Sequence, residues 1–143
     1  MTVVALFLVS AVVLTQNIRI SPEQLPASAL KLISEAFPYD SIESAKVEKR
    51  ASLVQYEASI SGKVKMQFSK DGKFTQCECS GERSVPSVLV PVRIRVFLTK
   101  EFKNSRVMDI EHDGKLWEIV LDNGVEMDFN ESYRLVDIDY PDD

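Results

Sequence analysis

LPASALKLISEAF at residues 25–37 returns, in altered letters, as VPVRIRVFLTKEF at residues 90–102. Aligned 65 positions apart, Leu25-Pro26 matches Val90-Pro91, Ala29 matches Ile94, Leu32 matches Phe97, Ile33 matches Leu98 and Phe37 matches Phe102. Counted from Leu25, the apolar residues Ala29, Leu32, Ile33 and Phe37 fall at steps of 4, 7, 8 and 12, which line one face of a helix. An early proline suits the first helical turn, where its missing N–H costs nothing. Each segment therefore predicts a helix of about three turns.

The match resumes downstream at an offset of 61, because the first copy carries four extra residues around Lys46 to Leu53. Tyr56–Ile60 (YEASI) matches Trp117–Leu121 (WEIVL), and Val64, Met66 and Phe68 match Val125, Met127 and Phe129. These runs alternate with period two, as half-buried antiparallel strands do. Ser61-Gly62, Asp71-Gly72, Asp113-Gly114 and Asn123-Gly124 punctuate them with residues that tolerate the positive φ of tight hairpin turns. The expected fold class is α+β: two tandem repeats, about 21–80 and 88–139, each a helix followed by an antiparallel meander of about four strands, the helices on one face of the sheet. A short polar linker, Ser80–Ser87, lets the repeats pack side by side and share one core.

Composition agrees with a single globular domain. The chain has 143 residues, 45% hydrophobic and 27% charged. Its net charge of −5 argues against a nucleic-acid binder that neutralises phosphates. One His and two Cys leave little for a histidine-based catalytic site, a structural zinc or a disulfide scaffold.

Thr2–Leu14 (TVVALFLVSAVVL) carries no charge and is shorter than the ~20 residues of a membrane-spanning helix. It suits the apolar region of a secretory signal, with small residues at Val9-Ser10-Ala11. No Lys or Arg precedes Arg19, so a start further upstream, a membrane-edge anchor and a buried Val-rich strand are the alternatives. Residues 1–16 are expected to be a signal peptide or N-terminal hydrophobic segment. Residues 17–143 are then the exported domain, periplasmic or secreted, with no membrane span after signal removal.

Leu25-Pro26, Phe37-Pro38, the strands of Tyr56 and Trp117, and Val125–Phe129 (VEMDF) resemble the PepSY-like, β-lactamase-inhibitor-like domains of the bacterial envelope. The resemblance covers about residues 21–139, with Val90 in place of Leu25 and Lys103 in place of Pro38 in the second copy. It implies an exported, non-enzymatic α+β module with helices on one face of an antiparallel sheet. Its motifs are structural and specify a fold better than an activity. No inhibitory loop can be matched residue by residue, so inhibition of a β-lactamase is not carried over.

Few side chains suggest chemistry. Cys77 and Cys79, two apart on a predicted strand, point to one face; a direct bridge between them would be strained. A redox pair or a soft-metal clasp stands against the simpler reading of a partly buried strand-end pair. His112, with no nucleophile motif beside it, reads as a surface turn residue, and Tyr56 and Trp117 read as packing anchors. The tail Asp137–Asp143 lacks the longer Gly-containing pattern of a calcium loop and reads as a solvated acidic end. No catalytic residue, cofactor or metal ligand is assigned, and an enzyme ranks last.

Charge divides between the copies. Residues 25–80 carry +1 and residues 88–143 carry −6. If Val64, Met66 and Phe68 face the helices, then Lys63, Lys65 and Gln67 face outward. By the same alternation Glu118, Asp122, Glu126 and Asp128 face outward from the second copy, with Val120 between. The helix-free face is thus expected to be basic at one end and acidic at the other, a pattern that steers and orients a charged partner. Lys63, Lys65, Gln67, Glu118, Glu126 and Asp128 are the candidate partner-binding residues. The expected role is an inhibitor-like or binding module for an envelope or secreted protein. A sensor or carrier of a small ligand or calcium is the alternative, and self-association stays open.

Overall fold

The computed structural model describes residues 14–142. Most of the expected signal segment, residues 1–13, lies outside them. Nine strands form one antiparallel sheet in which every strand pairs with its neighbour in the chain. They are β1 (Thr15–Ile20), β2 (Ile42–Arg50), β3 (Leu53–Ile60), β4 (Val64–Ser69), β5 (Phe74–Cys79), β6 (Val107–His112), β7 (Trp117–Leu121), β8 (Glu126–Phe129) and β9 (Leu135–Asp139). Helix α1 (Ala27–Ala36) lies in the connection from β1 to β2, and α2 (Val92–Glu101) in that from β5 to β6.

The repeat is visible at both helix ends. A short 3₁₀ turn leads into each helix, and Pro26 and Pro91 stand at the N-cap with φ of −53° and −52°. They sit one position before the first turn anticipated for them. Each carbonyl accepts the first helical bond, Leu30 N to Pro26 O and Arg95 N to Pro91 O. Phe37 and Phe102 close the helices through bonds of 2.8 Å to Ile33 O and Leu98 O.

Two features of the sheet differ from the sequence expectation. Strand β1 precedes α1, and its first residues, Thr15 and Gln16, fall within the segment read as a signal. Its side chains are largely exposed, so it carries no burial alternation; six register pairs with β2, from Thr15↔Arg50 to Ile20↔Ala45, hold it. The extra residues of the first copy serve this pairing. They lengthen the β2–β3 hairpin, whose tip turns through Ala51 at φ +52°, so that Arg50, Lys49 and Glu48 face Thr15, Gln16 and Asn17. The acidic tail also contributes a strand, with Asp137 and Asp139 in β9.

One core joins both copies. Ala29 and Ile33 from α1, Phe37 at its C-cap, and Ile94 and Leu98 from α2 share a buried cluster with Val64, Met66, Phe68, Val125, Met127 and Phe129. Phe129 meets Phe97 edge-on at 5.5 Å. The seam is β5 against β6, with Gln76↔Glu111, Cys77↔Ile110 and Glu78↔Asp109 in register. Arg83 of the linker reaches back to Asp40 (2.8 and 3.3 Å), which also accepts from Ser61 Oγ, and lies over the Phe37 ring. This clasp fastens the linker to the first copy.

Candidate binding face

All the helices pack on one face of the sheet, which leaves the other to solvent. Because neighbouring strands are in register, side chains on the open face form rows that cross it. One row runs Arg19, Lys46, Glu57, Gln67, Gln76, Glu111, Glu118, Asp128 and Asp137. The next runs Ser44, Ser59, Lys65, Glu78, Asp109, Val120, Glu126 and Asp139. From β5 to β9 nearly every position in these rows is a carboxylate, whereas the cations stand on β1, β2 and β4.

The two ends are hollowed differently. A depression of about 350 Å³ is lined by Asn17, Arg19, Lys46, Glu57, Ser59 and Lys65. A second, of about 260 Å³, is lined by Glu118, Glu126, Asp128, Asp137 and Asp139. Ion pairing is lopsided as well. Among the described residues the ion pairs are Lys46–Glu57 (3.6 Å), Arg83–Asp40 (2.8 Å) and Arg106–Asp122 (3.4 Å), so the acidic end has no internal counter-charge. Gln76 relieves it in part, donating to both oxygens of Asp109 at 3.2 Å.

Carboxylate pKa values register this crowding. Burial raises Asp109, and the charges of Glu78 and Glu118 add to it against the Gln76 hydrogen bond. Glu118 is also raised, by burial first and then by Glu111 and Asp128 on either side. Both groups resist ionisation first because they are partly desolvated and then because their neighbours carry the same sign.

The structure spreads the six residues picked from the sequence. Glu118, Glu126 and Asp128 meet at the acidic depression, and Lys65 lines the basic one. Gln67 bridges between them and donates to Glu57 Oε2 at 3.2 Å. Lys63 lies in the β3–β4 turn rather than on a strand, and its carbonyl accepts from Ser80 N. Asp122 also leaves the face, because its carboxylate holds Arg106 in the β7–β8 turn region. Arg19, Lys46, Glu78, Asp109, Glu111, Asp137 and Asp139 were missed. The buried Cys77, Ile110 and half-buried Ile138 give the period-two signal that would have turned Glu78, Asp109, Glu111, Asp137 and Asp139 outward.

His112 is not the isolated turn residue expected. It ends β6 and stacks flat on Trp117, with ring centroids 4.0 Å apart and planes 9° apart. Trp117 and Tyr56 pack half-buried against the core as anticipated. Cys77 and Cys79 are free, buried thiols on the helix-facing side, their sulfurs 4.0 Å apart. The hydrogen bond between them, together with burial, pushes the Cys77 thiol up and makes Cys79 the first of the two to ionise.

Taken together, these features define an α+β module: an open-faced antiparallel sheet backed by two helices, built from a duplicated unit and polarised across its free side. The chain belongs to the family described as "Putative beta-lactamase-inhibitor-like, PepSY-like", whose model matches residues 12–76 and 55–137. The two matches agree with the two-repeat layout. Solved structures share the fold. A protein from Bacteroides thetaiotaomicron described as a "putative calcium-regulated periplasmic protein" is 29% identical, with a TM-score of 0.82 over 86% of this chain and 96% of its own. A protein from Bacteroides vulgatus described as a "putative periplasmic protein" is 28% identical, with a TM-score of 0.81 over 86% and 96%. A second from that organism, of unknown function, is 22% identical with a TM-score of 0.80 over 87% and 99%, a likeness of fold alone. No curated protein matches the chain. The periplasmic setting of these relatives agrees with export, and no helix among the described residues is long and apolar enough to cross a membrane.

Proposed function

We propose that this protein is an exported, non-enzymatic binding module that holds a basic protein partner on the acidic half of its open sheet face. The observation that carries this reading is the block of carboxylates on β5–β9, in register across five strands and without an internal counter-ion. Such a block opposes folding at neutral pH, and a partner's lysines or arginines would neutralise it on contact. The basic end around Arg19, Lys46 and Lys65 would fix the partner's orientation along the face.

The test is a pull-down from envelope extract with the full chain as bait, at low and moderate salt. Glu118→Lys/Asp128→Lys and Lys63→Glu/Lys65→Glu serve as comparison baits. A basic protein retained by the parent, weakened by salt and lost by the acidic-end variant is the expected result. Nothing retained, or retention indifferent to the acidic-end variant, would overturn the assignment.

Calcium binding at the acidic depression is a second reading, favoured by the description of the 29%-identical relative as calcium-regulated. Among the described residues no group of three or more His, Cys, Asp or Glu is arranged to hold a metal, which ranks it second. It predicts a rise in melting temperature with calcium that chelation reverses and Glu126→Gln/Asp139→Asn removes.

A further inference from the structure

The hydrophobic side of the sheet holds a group of sulfurs that the binding face does not use. Cys77 and Cys79 point into the core from β5, at 0% and 6% exposure, with sulfurs 4.0 Å apart. Met66, fully buried, stands opposite Cys77 in the β4–β5 register. Residues directly opposite on antiparallel strands hold their Cβ atoms about 5 Å apart, so an unbranched methionine thioether can reach the thiol pair.

Geometry separates the two fates open to these thiols. Residues two apart on a strand have Cα atoms about 6.6 Å apart, at the far limit of what a disulfide spans. Closing one would require β5 to buckle, yet β5 is paired on both sides, with β4 and β6. For the two thiols a metal requires no such buckling. At a metal–sulfur distance of about 2.3 Å, two sulfurs at 120° in a trigonal set lie about 4.0 Å apart. That is the separation already present. The donor set also selects the ion. Thiolate and thioether ligands favour monovalent copper, whereas zinc demands four ligands and calcium demands oxygens.

We propose that Cys77, Cys79 and Met66 form a buried three-sulfur site for monovalent copper. On binding, both thiols release their protons and each sulfur donates a lone pair to the ion. Two protons leave per copper, no electron is transferred, and the thiolates and ion carry a combined charge of −1. The ion enters past Cys79, the more exposed thiol, at the end of β5 where the chain turns through Ser80 and Gly81.

The experiment uses the full chain, reduced and without oxygen, titrated against the coloured bicinchoninate complex of monovalent copper. One copper withdrawn per chain, with a sulfur-only first shell of three ligands by X-ray absorption, is the expected result. Cys77→Ala/Cys79→Ala should abolish withdrawal, and the volume-matched Met66→Leu should weaken it roughly tenfold or more. Metal-free melting curves show that each variant is folded, and Met66→Leu keeps the test decisive if the double variant is not. No withdrawal by the parent, withdrawal undiminished in the double-alanine chain, or an affinity unmoved by Met66→Leu would overturn the site.

Discussion

Replacing Glu118 with Gln should stabilise the folded protein at neutral pH. Glu118 on β7 lies between Glu111 on β6 and Asp128 on β8, both directly opposite it in register. A like-charge pair facing across two strands costs roughly 0.2–1 kcal/mol. Two such pairs on a solvated face, discounted for screening, give a gain of about 0.5–1 kcal/mol, or about 2–4 °C in melting temperature. The pH dependence has a definite sign. A carboxyl raised above its ordinary value of 4.5 favours folding only while protonated, so its penalty grows as pH rises through the raised value. The advantage of Glu118→Gln is therefore full at pH 7 and vanishes below about 4.5. Salt should erode it too, because the screening length falls from about 10 Å at 0.1 M to about 3 Å at 1 M. Urea unfolding of parent and variant at pH 7 and pH 4, in low and high salt, measures all three effects. An unchanged or lowered stability at pH 7 in low salt, or a gain that survives 1 M salt intact, would refute the crowding argument.

Asp40→Asn should act in the opposite sense. Hydrogen bonds from Arg83 and Ser61 hold the Asp40 carboxyl below its usual 3.8, so its stabilisation is present above that value and lost as pH falls through the lowered one. The variant should melt lower at neutral pH and converge with the parent in acid, as melting curves across that range would show. Phe68→Ala removes a fully buried ring from the first copy and should cost about 3–5 kcal/mol. The single Trp, Trp117, lies in the second copy, so its fluorescence transition should shift together with the far-UV circular dichroism; a Trp transition that stays put would mean the repeats unfold separately. Gly72→Ala should be costlier than Gly114→Ala. A positive φ alone costs about 1–2 kcal/mol. At Gly72 (φ +79°) the new Cβ would also strike Ser28 Oγ and come within 2.7 Å of Pro26 Cβ, whereas Gly114 (φ +95°) opens onto empty space. Equal losses in urea would contradict that packing.

Much of this molecule could be read from letters alone because the two copies check one another. Helices, inward alternation and most of the turns were legible wherever burial imposes a period, as in Ala29/Ile94 and Val64/Val125. Strand β1 was not, since an exposed edge strand held by backbone bonds leaves no side-chain period to find. The tail was misread for a related reason: β9 buries little beyond a half-buried Ile138, so its carboxylates looked like solvated chain rather than a fifth strand of the acidic end. Lys63 and Asp122 were displaced from the face because alternation was extended into turns, where it has no force. Which rows the outward residues join depends on strand register, and no single strand's sequence carries that.

The internal comparison also shows where the two copies diverge. At an offset of 61 the inward residues of β4 and its counterpart are identical: Val64, Met66 and Phe68 against Val125, Met127 and Phe129. Between them, on the outward side, Lys65 becomes Glu126 and Gln67 becomes Asp128. Packing explains the first set, because these core positions are 0–3% exposed and sensitive to a change of even one methylene. It does not explain the second, because a solvated strand position accepts either sign at similar cost when its neighbours are neutral. Here the neighbours are not neutral: Glu126 faces Asp139, and Asp128 faces Glu118 and Asp137, so the substitutions that distinguish the copies added repulsion to the fold. A duplicated unit that keeps its core and accumulates like charge on one open half carries a cost with no return within the chain itself. A cationic surface docked on β5–β9, as proposed above, would account for that cost, because it would neutralise the like charges on contact.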